Sequence, residues 1–184
     1  MVVPSNLEKA RQLLKEAKYD GAPLVILHPT DSALLSSPPM VIAQALRKAG
    51  FTVDLQAMDW QTLVTRRMSQ EPTDKGGWSL FATYILVVDI TDPLRNYSVP
   101  ANGKRAWYGW PDVPKIEELR DKFVHTSDPA TLTTLAKEIH KLVLDEGVIV
   151  PLGQFKTPTA YRMNVTGALE SPVSFFWNIK KTGT

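Results

Sequence analysis

Hydrophobic and polar positions along the chain follow two spacings, one typical of helices and one typical of strands. Apolar residues three and four positions apart predict helices at residues 5–20, 40–49, 60–69, 112–123 and 128–147. Short apolar runs, the second of them with period two, predict strands at residues 23–28, 51–57, 78–88 and 148–152. Helices and strands alternate over most of the chain, and this order predicts an α/β fold with a largely parallel sheet.

Polar residues mark where several of these helices begin and end. Ser5 and Glu8 stand three positions apart, the capping-box arrangement that satisfies two backbone N–H groups at a helix start. Asp59 and Asp128 each precede a further helix, and Gly50 follows the second helix. The predicted helices therefore have start and stop signals in addition to an apolar face.

Two stretches of the chain lack a regular pattern. Residues 89–114 contain four prolines and no periodicity, and a segment of this kind inside a compact domain often carries function. Residues 151–184, here named the C-terminal segment, are extended and rich in apolar and aromatic side chains. We therefore expect an α/β domain at residues 1–150 and a separate extended segment at residues 151–184.

Composition excludes several classes of protein. The chain has 184 residues, of which 43% are apolar and 22% charged, as in ordinary globular proteins. Lys and Arg (21) nearly balance Asp and Glu (19), so no strongly basic surface for nucleic acid is expected. Cysteine is absent and the histidines match no metal motif, so we expect no metal, no cofactor and no catalytic residues. No apolar run approaches the roughly 20 residues of a membrane span, and the first residues lack a signal-peptide pattern.

Two carboxylates follow the apolar run of residues 78–88. Asp89 and Asp92 stand at the expected carboxyl end of a strand, where ligands of α/β sheets collect. A carboxylate there suits an ammonium group or a cation, or it bonds its own backbone in a turn. An α/β enzyme that uses one of these acids is an alternative hypothesis, although no nucleophile and base accompany them.

Aromatic side chains are the stronger sign of a binding site. Trp107, Tyr108 and Trp110 put three large rings into a short stretch of loop, and Trp78 and Tyr84 lie on the preceding strand. Exposed rings on a loop usually meet a ligand or another surface, or they fold back over a small core of their own. The apolar C-terminal segment suggests a further hypothesis, a module that forms a homodimer through this segment.

Short segments in a fixed order resemble one known family over nearly the whole chain. The segments are 7–17 (LEKARQLLKEA), 43–56 (AQALRKAGFTVDLQ), 58–60 (MDW), 77–78 (GW), 92–93 (DP), 128–130 (DPA), 149–152 (IVPL) and 160–167 (AYRMNVTG). They resemble the C-terminal lobe of the extracellular solute-binding proteins of family 5, the dipeptide- and oligopeptide-type receptors of bacterial ABC importers.

The resemblance implies a fold, a function and partners. The fold would be the second lobe of a type II periplasmic-binding-protein fold, with a mixed, mostly parallel sheet between helices. The function would be to bind a peptide-like small solute between two lobes and deliver it to ABC permease subunits, in the periplasm or outside the cell. The N-terminal lobe and the export signal of such a receptor are expected to lie outside this chain, and the C-terminal segment would return to that lobe.

The resemblance also implies a role for one carboxylate. In peptide-binding members, an aspartate shortly after the Gly-Trp strand holds the α-ammonium group of the ligand, and Asp89 is the best positional match. The serine- and proline-rich loop at residues 36–39 offers no arginine for a ligand carboxylate. We therefore expect Trp78, Tyr84, Asp89, Trp107, Tyr108 and Trp110 to bind the solute, which is different from a simple dipeptide or more apolar than one.

Overall fold

The computed structural model describes residues 6–183. The chain divides into two compact units, Met1–Tyr84 and Ile85–Thr184, which are described separately. This division falls after residue 84, and the lobe boundary after residue 150 stays a prediction. Within residues 6–183, no helix has the length and apolar character needed to cross a membrane.

The first unit is built from helices that alternate with parallel strands. Its elements are α1 (Leu7–Glu16), β1 (Leu24–Pro29), α2 (Ser37–Ala49), β2 (Val53–Met58), α3 (Trp60–Arg66) and β3 (Leu80–Phe81). The sheet has the order β2-β1-β3, and both pairings of β1 are parallel. The α/β class with a largely parallel sheet is therefore confirmed.

The apolar run of residues 23–28 forms the central strand. β1 pairs with strands on both sides, and Val25, Ile26 and Leu27 are buried. A strand covered on both faces needs a continuous apolar run, which explains the pattern. On one face of the sheet, Val25 and Leu27 pack against Leu63 of α3, and Met58, Trp60, Trp78 and Phe81 close this core at its margin.

The third predicted strand, residues 78–88, is much shorter than expected. Only Leu80 and Phe81 pair with β1, and residues 87–90 form a 3-10 turn instead. Along β1, the amide of Leu24 donates to the β2 side and the amide of Val25 to the β3 side. Backbone groups of successive residues point to opposite sides of a strand, so position 29 faces β3, as position 25 does. Pro29 has no N–H and therefore cannot donate a further hydrogen bond to the β3 side.

Capping signals place the helix ends of the first unit. The Asn6 side chain accepts a hydrogen bond from the Lys9 amide at 2.9 Å and caps α1, whereas the predicted cap, Ser5, lies outside the described residues. The Asp59 carboxylate accepts from the Thr62 amide at 2.9 Å, as predicted for α3. α2 begins at Ser37, three residues earlier than predicted, because proline is well tolerated in the first turn of a helix.

The second unit is built around a helix pair. Its helices are α4 (Pro114–Val124) and α5 (Pro129–Asp145), and its strands are β4 (Val165–Thr166) and β5 (Lys180–Lys181), which pair antiparallel. The helices enclose a core of buried residues that also includes two residues of the preceding loop. These residues are Val99, Ala101, Ile116, Leu119, Leu135, Ile139 and Val143.

The fourth predicted strand, residues 148–152, is wrong. No strand is formed there within the described residues. The Val148 amide donates to the Val143 carbonyl at 3.0 Å and closes the end of α5. Val148 and Ile149 then pack against the helix core, so their apolar character reflects contact with helices and not strand pairing.

The C-terminal segment is extended and largely exposed. Met163 is fully exposed (101%), Phe176 is 73% exposed and Trp177 is 77% exposed. The short β4–β5 ladder closes tightly, since a Cβ atom at Gly167 would lie 2.2 Å from the Asn178 carbonyl oxygen. Local backbone contacts of this kind, and not a core of its own, give this segment its shape.

Candidate functional site

Trp78, the first predicted site residue, packs within the first unit. Its ring meets the Phe81 ring edge to face at 5.1 Å, and its Nε1 donates to the Arg67 carbonyl at 3.1 Å. The Arg67 guanidinium lies 5.9 Å from the centre of the Trp60 ring and 5.8 Å from that of Phe81. The structure therefore places Trp78 at the margin of the core between the sheet and α3.

Tyr84 stands three residues after β3, at the end of the first unit. Its side chain is 49% exposed. In open α/β sheets, the region beyond the carboxyl ends of the strands is where ligands bind. Tyr84 therefore lies beyond the carboxyl end of an edge strand, whereas the sequence placed it on the predicted strand of residues 78–88.

The two candidate carboxylates have different surroundings. The Asp92 Oδ1 atom accepts from the Leu94 amide at 2.8 Å and from the Arg95 amide at 3.0 Å, so this side chain caps its own turn. Asp89 lies half-buried in the 3-10 turn of residues 87–90. Among the described residues, no hydrogen bond or ion pair to the Asp89 carboxylate is found. Asp89 therefore keeps both carboxylate oxygen atoms for a ligand, whereas the Oδ1 atom of Asp92 is already occupied.

Trp107, Tyr108 and Trp110 lie on one tight turn. The Trp110 amide donates to the Trp107 carbonyl at 2.9 Å, and Gly109 has a φ of +99°, which favours glycine. Trp110 itself has a φ of +46°. A left-handed conformation of a bulky residue costs on the order of 1–3 kcal/mol and persists only where its surroundings impose it.

The rings of this turn form a row together with Tyr97. Ring centres are 5.3 Å apart for Tyr97 and Trp107, 5.2 Å for Trp107 and Tyr108, and 6.5 Å for Tyr108 and Trp110. Tyr97 is 44% exposed, and the other three rings are half-buried. The spacing and the tilted or edge-on angles are those that aromatic pairs prefer. The structure thus brings together three predicted site residues and adds Tyr97, which sequence reasoning missed.

Residues 102–112, named here the aromatic loop, are closed at their base by the backbone. Asn102 and Asp112 form an isolated antiparallel bridge, and the Gly103 amide donates to the Pro111 carbonyl at 2.9 Å. One residue further out on each side, the Val113 amide donates to the Ala101 carbonyl at 2.9 Å. The aromatic loop is therefore a small hairpin of fixed shape.

An ion pair on α4 supports the base of the aromatic loop. The Glu117 carboxylate accepts from the Ala101 amide at 2.8 Å and pairs with the Arg120 guanidinium at 2.9 Å. Arg120 also donates to the Pro93 carbonyl at 3.5 Å. These side chains connect a helix to both ends of the segment that carries Tyr97. The i,i+3 spacing of Glu117 and Arg120 was the available sequence signal for them.

Three carboxylates with a lowered pKa stabilise helices in the described residues. Lys122 and Lys115 lower the pKa of Glu118 to about 2 on the exposed face of α4. Hydrogen bonds from Thr62 and Thr131 lower the pKa of Asp59 and of Asp128, the caps of α3 and α5. No group of three or more potential metal-ligating side chains occurs within residues 6–183. The second unit therefore offers two features for recognition, the rings of the aromatic loop and the Asp89 carboxylate.

Two open surface cavities are lined by residues other than the predicted site residues. One, of about 290 Å³, is lined by Arg11, Leu14, Lys15, Lys18 and Tyr19 of the α1 region. The other, of about 370 Å³, lies in the C-terminal segment between residues 157 and 171. Neither cavity includes a predicted site residue.

Comparison with known proteins gives one family. The family model described as bacterial extracellular solute-binding proteins, family 5 middle, matches residues 2–105. A probable peptide ABC transporter periplasmic-binding protein of Sinorhizobium fredii is 39% identical over 174 residues, which cover 95% of this chain and 33% of that protein. The chain thus spans about one third of the length of this relative.

Solved structures show the same fold. The OppA protein of Burkholderia pseudomallei has a TM-score of 0.67 at 21% identity. That match covers 88% of this chain and 31% of the OppA chain. The DppA protein of Helicobacter pylori, solved with the peptide STSA, has a TM-score of 0.67 at 18% identity. That match covers 97% of this chain and 35% of the solved one.

Proposed function

Because the chain belongs to family 5 of the bacterial extracellular solute-binding proteins, we propose that it forms one side of the binding site of an ABC-importer receptor for peptide-like solutes. The family consists of solute-binding components and not of enzymes, and its named members here are periplasmic or extracellular. The single observation in the structure that carries the proposal is the Asp89 carboxylate, which has no partner among the described residues.

Asp89 is proposed to bind the α-ammonium group of the solute. An ammonium group offers three donors and a full charge, and a charge-assisted hydrogen bond is roughly twice as strong as a neutral one. The half-buried position of Asp89 supports this role, because partial exclusion of water strengthens the interaction. Asp92 is less suited to it, since its Oδ1 atom already accepts two backbone amides.

The aromatic side chains are proposed to contact the rest of the solute. Trp107, Tyr108 and Trp110 stand on a hairpin of fixed shape, and Tyr84 is half exposed beyond the end of β3. Trp78 contributes through packing, because its indole supports β3 from the core side. Such a site binds and releases a solute and has no turnover.

The greater length of the relative suggests which partners the C-terminal segment has. About two thirds of the Sinorhizobium fredii protein has no counterpart in this chain. We propose that the apolar C-terminal segment packs against that remaining part, and that closure of two lobes on the solute creates the form that ABC permease subunits recognise. The receptor would act in the periplasm or outside the cell.

The alternative partner for the C-terminal segment is a second copy of this chain, which would give a homodimer. Its exposed Phe176 and Trp177 side chains favour some apolar partner. Light scattering of the chain with and without residues 151–184 separates the two partners. A monomer at both lengths supports packing against the rest of the receptor, and a dimer that depends on these residues supports self-association.

The solute proposal is tested by a matched pair of charge substitutions. Asp89→Asn removes the charge from the proposed ammonium ligand, whereas Asp92→Asn keeps an oxygen acceptor for its turn. Titration of the chain with a tripeptide, followed by NMR at millimolar concentrations, should show binding weakened about tenfold or more by Asp89→Asn and little changed by Asp92→Asn.

The same titration with an N-acetylated tripeptide isolates the ammonium group. Acetylation removes the positive charge, so the wild-type chain and Asp89→Asn should bind this peptide equally weakly. Equal affinity of the wild-type chain and Asp89→Asn for the free tripeptide would contradict the role of Asp89. No binding of either peptide by the wild-type chain would contradict the proposed function.

A further inference from the structure

The aromatic loop presents its rings in a fixed arrangement before any solute is bound. Four rings follow one another with centres 5.2 to 6.5 Å apart, from Tyr97 through Trp107 and Tyr108 to Trp110. Ala101 and Ala106, at the base of the loop and within it, are buried. A surface of rigid rings binds planar groups well because few side-chain rotations are lost on binding.

The backbone of the turn places Trp110 in a conformation that this residue type rarely adopts. Its φ of +46° follows directly after Gly109 at +99°, and glycine or asparagine would fit the position with less strain. Strained positions cluster at ligand sites, where surrounding contacts impose them. The Trp110 ring is therefore held at its position in the row at the expense of backbone energy.

The charge on the aromatic loop limits what its rings can bind. Lys104 and Arg105 are exposed on the same loop, and Asp112 is its one acidic residue. The loop is thus net positive, and the charge repulsion disfavours a cationic side chain relative to a neutral one. A neutral aromatic or extended apolar group meets no such repulsion and gains the edge-on contacts that aromatic pairs prefer.

We propose that the row formed by Tyr97, Trp107, Tyr108 and Trp110 is a binding surface that selects peptide-like solutes with a neutral aromatic side chain. This inference rests on the proposed function, because it names the class of solute that the same site takes. Asp89 supplies the ammonium contact that all such peptides share, and the rings supply the discrimination among side chains.

The test compares two tripeptides that differ in one ring. The chain, labelled with 5-fluorotryptophan, has five fluorine reporters, at Trp60, Trp78, Trp107, Trp110 and Trp177. Ala-Phe-Ala should bind about tenfold more tightly than Ala-Ala-Ala. It should shift the resonances of Trp107 and Trp110 and leave that of Trp177 unchanged.

Three variants assign the discrimination to the rings. Trp107→Leu keeps an apolar side chain without an indole, and Trp110→Gly removes the ring while it relaxes the backbone. Trp177→Leu is the matched control, on an exposed ring of the C-terminal segment. The first two should bring the affinity ratio of the two peptides close to one, and the control should keep the wild-type ratio. A ratio is unaffected by a loss of folded protein.

The outcomes distinguish this inference from the proposed function. Equal affinity of the wild-type chain for both peptides would overturn the inference and leave the proposed function intact. A ratio that persists in Trp107→Leu and Trp110→Gly, or that falls in Trp177→Leu, would place the discrimination elsewhere and overturn the inference. Absence of binding by either peptide would overturn both.

Discussion

The aromatic loop and the C-terminal segment are both irregular in backbone and rich in rings, but only the loop is supported by a core. Residues at the base of the loop, Val99 and Ala101, belong to the buried cluster between α4 and α5. In the C-terminal segment, the stacked pair Phe175 and Trp177 lies over no comparable cluster among the described residues. Two regions of similar composition therefore differ in support: the aromatic loop is held by a core, and the C-terminal segment leaves its rings uncovered.

Removal of a core side chain beneath the aromatic loop should have the largest effect. Ile139 is fully buried in the cluster that includes Val99 and Ala101. Ile139→Ala should lower the free energy of unfolding by about 2–5 kcal/mol, because it removes apolar contacts and leaves a cavity. Urea unfolding followed by circular dichroism measures this loss. Val124→Ala, at a 57% exposed position of α4, is the control, and similar losses in both variants would contradict the role of the core.

Loss of the Glu117 carboxylate should have an intermediate effect. Glu117→Ala leaves the Ala101 amide without its acceptor and Arg120 without its ion pair. The expected cost is about 1–3 kcal/mol in the free energy of unfolding, the usual cost of a polar group that loses its partner. Glu117→Gln keeps an oxygen acceptor and should recover part of this cost. Hydrogen exchange at the Ala101 amide checks the cause, and an unchanged exchange rate in Glu117→Ala would contradict it.

Removal of one ring from each region should give the smallest difference in the free energy of unfolding between the aromatic loop and the C-terminal segment. Phe176→Ala, at a 73% exposed position, should change the free energy of unfolding by less than about 0.5 kcal/mol, as do most surface substitutions. Tyr97→Ala removes an edge-on contact with Trp107 at 5.3 Å and should cost about 0.5–1.5 kcal/mol for the ring pair. Thermal unfolding of both variants measures the difference. Equal effects would mean that the loop is no better supported than the C-terminal segment.

Much of the first unit could be predicted from the sequence because its signals are local. The continuous apolar run of β1, the Asp59 cap and the Gly50 helix stop each depend on neighbouring residues. The short β3 could not be predicted in the same way. Its length depends on Pro29, a residue of another strand that lies about 50 positions earlier in the chain.

The candidate site was predicted only in part. Ring-rich residues 107–110 were visible as a composition feature, but Tyr97 joins them through a contact that spans ten positions of irregular chain. From their position after the apolar run alone, Asp89 and Asp92 had the same two interpretations, a ligand contact or a turn. The structure separates them, because the distinction depends on which carboxylate the backbone amides reach.

Met163 gives the exposed C-terminal segment a chemical vulnerability. The chain has no cysteine, so methionine thioethers are its oxidisable sulfur atoms, and Met163 is the one described methionine that is fully exposed. Mild peroxide should therefore convert Met163 to its sulfoxide ahead of the other methionines within residues 6–183. The product is polar where the thioether was apolar, so oxidative damage would weaken the affinity of this segment for any apolar partner before it disturbed the folded core.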